Sequence, residues 1–150
     1  MEVKLEVEWL ILADAAQVVG NKLYLMGGGW DVLTVNSGFP VQQRCAVGVA
    51  VRVPWNETNQ RHNLEVEIAT DDGKTLGKIQ GQFEVGRPPG IPLGQDQRVQ
   101  LAADLSLKLD NAGGYVIIAR IDGQEARRTI FNVVPGPMAM AQKQKGEGAS

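Results

Sequence analysis

The sequence predicts an all-β fold, an antiparallel β-sandwich of about eight strands. The first observation is that apolar and polar residues alternate through most of the chain, most clearly in residues 64–68 and 99–109, as in strands with one buried face. The second is Asp122-Gly123, a strong hairpin signal between two apolar-rich runs, because glycine reaches positive φ without steric cost. The third is that residues 13–19 are the only helical candidate, and they are too few to be stable without packing.

Strand-like patterns follow one another along the chain at residues 3–9, 22–26, 30–35, 44–53, 64–68, 79–85, 99–109, 115–123 and 129–134. In the first of these, Val7 and Trp9 are expected on the same apolar face. Residues 20–21 supply a turn before the second. Residues 86–92 contain three prolines, which remove backbone donors, so this segment is expected to connect two sheets or to cross a sheet edge.

The chain has 150 residues, enough for one domain with a buried core. We expect residues 1–134 to form the sandwich and residues 135–150 to form a flexible tail, because the alternation stops there and small, polar and charged residues follow. The net charge is −2, which favours neither nucleic acid nor an anionic membrane as a partner. Residues 1–8 alternate between charged and apolar, unlike a secretory signal, so a cytoplasmic location is expected.

The cysteine and histidine contents argue against a catalytic or metal-binding role. One cysteine and one histidine cannot form an internal disulfide or the usual zinc sites. Cys45 lies in an apolar run and is expected to be a buried thiol. His62 has no nearby pattern that indicates a catalytic triad. The sequence therefore predicts no enzyme, no cofactor and no metal site.

Two other motifs have ordinary structural explanations. The glycine run at residues 27–29 precedes a strand-like segment, so it indicates a bulge or a close backbone approach, not a phosphate-binding loop. The oxygen-bearing residues at 71–72 and 110–111 are expected at hairpin tips, where Asp and Asn are favoured by turn geometry.

One strand offers a candidate interaction face. Val47, Val49, Val51 and Val53 share a face that is expected to point into the core, and the opposite face carries Ala46, Gly48 and Ala50. Exposed strand faces usually carry polar residues, and small apolar residues permit close approach of another surface. Either a partner or the chain's own proline-rich segment is expected to cover this face.

Short motifs at the beginning and the end of the sequence resemble those of a protein family. The residues that carry the resemblance are Leu12 to Ala16, Lys22-Leu23, Gly27 to Asp31, Gly114-Tyr115, Asp122-Gly123, Phe131 and Val133. From residue 1 to about residue 135, the chain resembles a small, uncharacterised bacterial β-sandwich family, a domain of unknown function. The ending also resembles immunoglobulin-like and fibronectin-like modules, in which a tyrosine at the position of Tyr115 bonds back to the preceding corner. The resemblance implies a fold and a bacterial source, but no activity.

These observations predict a non-catalytic interaction or structural module that acts by protein binding. The expected partners are another protein or a second copy of the chain, with no nucleic acid and no membrane. The alternative is a carbohydrate-binding module, in which Trp30 and Trp55 would be the surface aromatics on which sugars stack.

Overall fold

The computed structural model describes residues 4–137 of the chain. The fold is all-β, as the sequence predicts. The described residues form ten strands and one 3-10 turn, which are β1 (Glu6–Ala13), β2 (Ala15–Val19), β3 (Lys22–Met26), β4 (Val32–Val35), β5 (Val41–Val53), the turn (Trp55–Glu57), β6 (Arg61–Thr70), β7 (Thr75–Glu84), β8 (Gln97–Leu109), β9 (Gly113–Ile121) and β10 (Gln124–Pro135).

The strands form three sheets. One has three strands in the order β1-β5-β8, one has five in the order β4-β10-β9-β6-β7, and β2 and β3 form a separate hairpin. The five-stranded sheet is curled into a half-barrel. Neighbouring strands are antiparallel except β4 and β10. The expectation of entirely antiparallel pairing is wrong at β4. No short turn joins β4 to β10, which lies about a hundred residues later, so the pairing is not restricted to the antiparallel direction.

One hydrophobic core joins the inner faces of the two larger sheets. The three-stranded sheet contributes the predicted valine face of β5 together with leucines of β1 and β8. The other sheet contributes Ile68 from β6, Ile117 from β9 and Phe131 from β10, each almost fully buried. The β5 valines confirm the predicted facing, because strict alternation on a long central strand determines which side faces the core.

The helical candidate at residues 13–19 is not a helix: Ala13 is the last residue of β1, and Ala15–Val19 form β2. β2 pairs with β3 across the turn at residues 20–21, with Ala15 opposite Met26 and Val18 opposite Leu23. Asn21 and Gly20 both have positive φ, the conformation that a two-residue hairpin turn requires. Pairing with the adjacent strand β3 therefore decides the structure of residues 15–19, whose own helical tendency is weak.

The predicted facing of the first strand changes at a β-bulge. The pairing of β1 with β5 shifts register between Val7 and Trp9. Val7, Leu10 and Leu12 are in the core, whereas Trp9 is only half-buried. An extra residue at the bulge moves the later side chains to the opposite face, so Val7 and Trp9 do not share a face.

The proline-rich segment connects β7 of the five-stranded sheet to β8 of the three-stranded sheet, as its sequence predicts. The predicted boundary at residue 135 falls inside β10, which ends at Pro135. The rest of the predicted tail, residues 138–150, lies outside the described residues.

Candidate functional site

The face formed by Ala46, Gly48 and Ala50 is covered by the chain itself. Ala46 and Ala50 have no exposed surface. A Cβ atom at Gly48 would lie 2.9 Å from Cδ2 of Leu23 and 3.4 Å from Cδ2 of Leu25. The cover is therefore the β2–β3 hairpin, and neither of the two expected covers, a partner or the proline-rich segment. Glycine at position 48 lets the hairpin approach the sheet closely.

Hydrogen bonds fix the tip of the hairpin to β8. The Asn21 side chain donates to the carbonyl of Arg98 at 2.9 Å and accepts from the backbone N–H of Gln100 at 2.9 Å. The Gln100 amide donates to the carbonyl of Asn21 at 2.9 Å. A reciprocal set of this kind satisfies the polar groups of the turn and limits its movement.

The base of the hairpin is fixed to β1. The backbone N–H of Asp14 donates to the carbonyl of Met26 at 3.0 Å, and Gly29 donates to Leu12 at 2.8 Å. Gly27 has positive φ, and a Cβ there would overlap the Asp14 carboxylate. This is the close backbone approach that the glycine run predicts.

A charged cluster supports β8 beneath the tip. Arg98 donates to both oxygens of Glu8, at 2.6 Å and 2.9 Å, and its guanidinium lies 4.7 Å from the centre of the Trp9 ring. Arg52 donates to the same carboxylate at 3.2 Å. The hydrogen bonds from Arg98 are the main reason that the pKa of Glu8 is lowered to about 2, because they favour the ionised form.

The outer side of the hairpin presents an apolar surface, which we call the hairpin face. Its most exposed apolar side chains are Val19, Tyr24 and Met26, with 53%, 55% and 73% of their surface accessible. The complete set that alternation places on this side is Ala15, Gln17, Val19, Lys22, Tyr24 and Met26. Lys22 at the turn carries the only charge in this set.

The five-stranded sheet is different on its outer side. There Arg120 bridges two carboxylates, lying 2.9 Å from Glu65 and 2.8 Å from Glu67. The Arg120 hydrogen bond is the main cause of the lowered pKa of Glu65, whereas a hydrogen bond from Thr75 is the main cause for Glu67. Charged cross-strand rows of this kind keep a sheet face solvated.

The two candidate surface tryptophans make contacts within the chain. Trp30 is half-buried against the core and meets the Phe131 ring edge-on, with ring centres 5.8 Å apart. The Arg87 guanidinium lies 3.9 Å above the ring of Trp55 and donates to the Trp55 carbonyl and the Thr58 hydroxyl. Arg87 therefore covers one ring face of Trp55.

His62 is held by two acceptors. The side chain is 3% exposed; its Nδ1 lies 2.8 Å from the Asp122 carboxylate and its Nε2 lies 2.9 Å from the Glu57 carbonyl. Burial acts to lower the pKa of His62, but these hydrogen bonds and the nearby charges of Asp122 and Glu57 outweigh it and raise the pKa above 6.5. The ring therefore joins β6, the 3-10 turn and the β9–β10 turn as a structural group.

We expect the contribution of His62 to stability to decrease as the pH rises. A pKa raised by folding stabilises the native state below the unfolded pKa, and this contribution is lost as the pH rises through the folded pKa. Comparison of His62→Gln with the wild type by urea unfolding at several values between about pH 5.5 and 8.5 should show the difference in unfolding free energy shrinking with pH. A constant difference would contradict the charged pair.

Cys45 is a buried thiol, as predicted, and burial raises its pKa to about 11. One carboxylate of each Asp-containing turn is engaged locally: Asp72 accepts from the Thr70 hydroxyl, and Asp110 lies 3.4 Å from Lys74. Residues 71–72 lie at a hairpin tip as expected, whereas residues 110–111 connect β8 to β9 in a different sheet. Within residues 4–137, no group of three or more His, Cys, Asp or Glu side chains is arranged to hold a metal ion. No helix among these residues is long and apolar enough to cross a membrane.

No curated protein matches the sequence. Among solved structures, the chain is similar to the alkylpurine DNA glycosylase AlkC of Pseudomonas fluorescens bound to DNA containing an abasic site analog, with a TM-score of 0.45 and 10% sequence identity. The similarity covers 86% of this chain and 30% of the glycosylase chain, so this chain spans less than a third of the glycosylase chain.

The prediction that nucleic acid is not a partner is withdrawn. It rested on the net charge of −2, and net charge is an average over the molecule that does not describe any one face. The likeness to the DNA-bound glycosylase transfers no function to this chain.

A family model described as "Family of unknown function (DUF6941)" matches residues 8–134. The match runs from β1 into the last residues of β10, so it includes both large sheets and the hairpin. The predicted resemblance to an uncharacterised domain is confirmed, without the bacterial source or the immunoglobulin-like classification. The chain belongs to the family of unknown function DUF6941.

Proposed function

We propose that this protein is a non-catalytic module that acts by binding another protein through the hairpin face. The observation that carries the proposal is a largely apolar surface, with Lys22 at the turn as its one charge, on a hairpin that is fixed at both ends. Single exposed apolar residues are common on proteins. Val19, Tyr24 and Met26 differ from these because they are grouped on one side of a two-stranded sheet.

The chemistry of the hairpin face suits a protein partner. Tyr and Met are enriched in protein interfaces, and the centres of interfaces are depleted of charge. The hairpin is held by β8 at its tip and by β1 at its base, so little conformational entropy remains to be lost when a partner binds. The open edges of β2 and β3 also leave backbone groups for strand addition.

We also propose that the fold is an immunoglobulin-like sandwich. Two features support this classification. The two larger sheets share one core, and the Tyr115 hydroxyl, at the start of β9, donates to the carbonyl of Asn111 at 2.5 Å. A tyrosine bonding back to the preceding corner is typical of such domains. The bacterial source and the cytoplasmic location stay predictions.

No observation favours the carbohydrate-binding alternative. Stacking of a sugar requires an accessible aromatic ring face. Trp30 packs against Phe131, and Arg87 lies on Trp55. The aromatic side chain of the hairpin face, Tyr24, lies among Met26 and Val19, a setting that matches an apolar protein surface better than a sugar.

Site-specific photocrosslinking tests the proposed function. A photoreactive phenylalanine analogue replaces Tyr24 in the full chain, which is expressed in cells of its source organism and irradiated. We expect one discrete crosslinked protein. When that protein is purified, Met26→Lys should weaken its binding at least about tenfold, because a charge then has to be buried in the contact.

The matched control places the same analogue at Ile130. This side chain is 67% exposed but lies on β10, in the five-stranded sheet. The proposal requires that the crosslinked protein be obtained from position 24 and not from position 130. Equal products from both positions, products that contain only nucleic acid, or no product would overturn it.

A further inference from the structure

An apolar cavity of about 170 Å³ lies between the two large sheets on the side where β7 and β8 face each other. Both strands are edge strands, and they belong to different sheets, so no ladder of hydrogen bonds closes this side. The cavity is lined by Val47, Val49, Leu64, Val66, Ile79, Gln80, Gly81, Leu101, Ala102 and Ala103. Gln80 is the only polar side chain in this set.

Two small residues create the space. Gly81 pairs with Leu64, and Ala103 pairs with Val47. Because directly opposite residues share a face of a sheet, and Leu64 and Val47 point into the core, positions 81 and 103 also point inward. A Cβ atom added at Gly81 would have no heavy atom within 4 Å.

The cavity is reachable from solvent. The inward-facing side chains of the edge strands, Ile79, Leu101 and Ala103, are only half-buried, in contrast to the fully buried valines of β5. An apolar cavity of about 150 Å³ stays dry and accepts a benzene-sized molecule. The space between β7 and β8 is therefore large enough for a short hydrocarbon group, whose entry would restore the van der Waals contacts that the lining side chains lack.

The polar residues next to the cavity lie on the other face of β7. Gln80 and Gln82 pair with Glu65 and Asn63, on the outer side of the sheet where Arg120 contacts Glu65, and the Gln80 amide donates to Glu65 at 3.2 Å. None of the residues that line the cavity is charged. The cavity therefore suits an uncharged aliphatic group and not an ion.

We propose that the space between β7 and β8 is a binding site for a small uncharged molecule with a short aliphatic chain, which enters the apolar cavity. This site is separate from the hairpin face and does not depend on it. Val47, Leu64 and Leu101 line the part of the cavity that the chain occupies.

Linear alcohols provide the probes. Methyl-selective NMR spectra of the full chain are recorded during titration with 1-butanol, 1-pentanol and 1-hexanol. We expect shifts confined to methyl groups such as those of Val49, Ile79 and Leu101. The affinity should increase about fourfold for each methylene group added, until the cavity is full. Hexanoate should bind several-fold more weakly than hexanol, because a carboxylate finds no unpaired cation there.

The variant Gly81→Val fills the cavity and should abolish the shifts. Gln82→Val is the matched control, since it adds the same side chain to the exposed neighbouring position of β7, and it should bind 1-hexanol as the wild type does. Ala103→Val fills the cavity from β8 and replaces Gly81→Val if that variant does not fold. Methyl shifts that persist in the folded filling variant, or no cavity-specific shifts in the wild type, would overturn the site, and equal binding of hexanoate would overturn the preference for an uncharged ligand.

Discussion

Replacing Phe131 with alanine is expected to lower the free energy of unfolding by about 3–5 kcal/mol. The side chain is 1% exposed. Its ring is stacked on Tyr115 at 5.4 Å between ring centres and is met edge-on by Trp30 at 5.8 Å. Truncation removes both aromatic contacts and leaves a cavity in the core. Denaturant unfolding followed by circular dichroism measures the change.

The adjacent residue of the same strand provides the control. Ile130 is 67% exposed and points away from the core. Ile130→Ala removes a side chain of similar hydrophobicity from the same segment of β10, and its effect should stay within about 0.5 kcal/mol. If Phe131→Ala and Ile130→Ala had the same midpoint, the inward facing of Phe131 would be wrong.

The core of this fold could be predicted where strands are long and regular. In β5 the valines at alternate positions are sufficient to identify the side that faces the core between the two large sheets, because a slip by one residue would move all of them to the side that the hairpin covers. The terminal hairpin was predictable for a related reason. Asp122 and Gly123 both adopt positive φ, which the Asp-Gly pair indicates directly.

Elements that depend on distant partners could not be predicted in the same way. The β1 bulge exists because of how Trp9 pairs with Ala50, and no local signal in residues 6–13 marks it. The parallel pairing of β4 with β10 joins residues about a hundred positions apart, so no local pattern in either strand indicates it. Residues 15–19 alternate in burial, but alanine and valine in a short segment suit a helix or a strand until the pairing with β3 is known.

Only part of the candidate site could be predicted, because the covering element depends on pairing between strands. Small residues at positions 46, 48 and 50 correctly indicate that something approaches β5 closely. The covering element is the hairpin, which could have been found from the turn at Gly20-Asn21 once residues 15–19 were taken as a strand. Its exposed side chains, Tyr24 and Met26, then follow from alternation. Gly81 and Ala103 give no sequence signal, because their proximity depends on two edge strands from different sheets.

Replacing Gly48 with lysine is expected to detach the hairpin and to lower the free energy of unfolding by about 3 kcal/mol or more. Even the first atom of a side chain at this position meets Leu23 at 2.9 Å, and the ammonium group would be buried without a partner. Moving the hairpin away relieves both problems but exposes Leu23 and Leu25 to water. Hydrogen exchange should therefore lose protection across β2 and β3 while the amides of β9 stay protected.

The control for this variant is Gly81→Ala. Both glycines lie in strands, neither has positive φ, and a Cβ at position 81 has no heavy atom within 4 Å. Substitution there should leave hairpin exchange unchanged and should not lower stability, because alanine loses less backbone entropy on folding than glycine. Protection of the β2–β3 amides in Gly48→Lys equal to that in Gly81→Ala would mean that the hairpin does not depend on close approach at Gly48. Loss of protection in Gly48→Lys alone would show that the hairpin keeps its position because glycine leaves room for Leu23 at position 48.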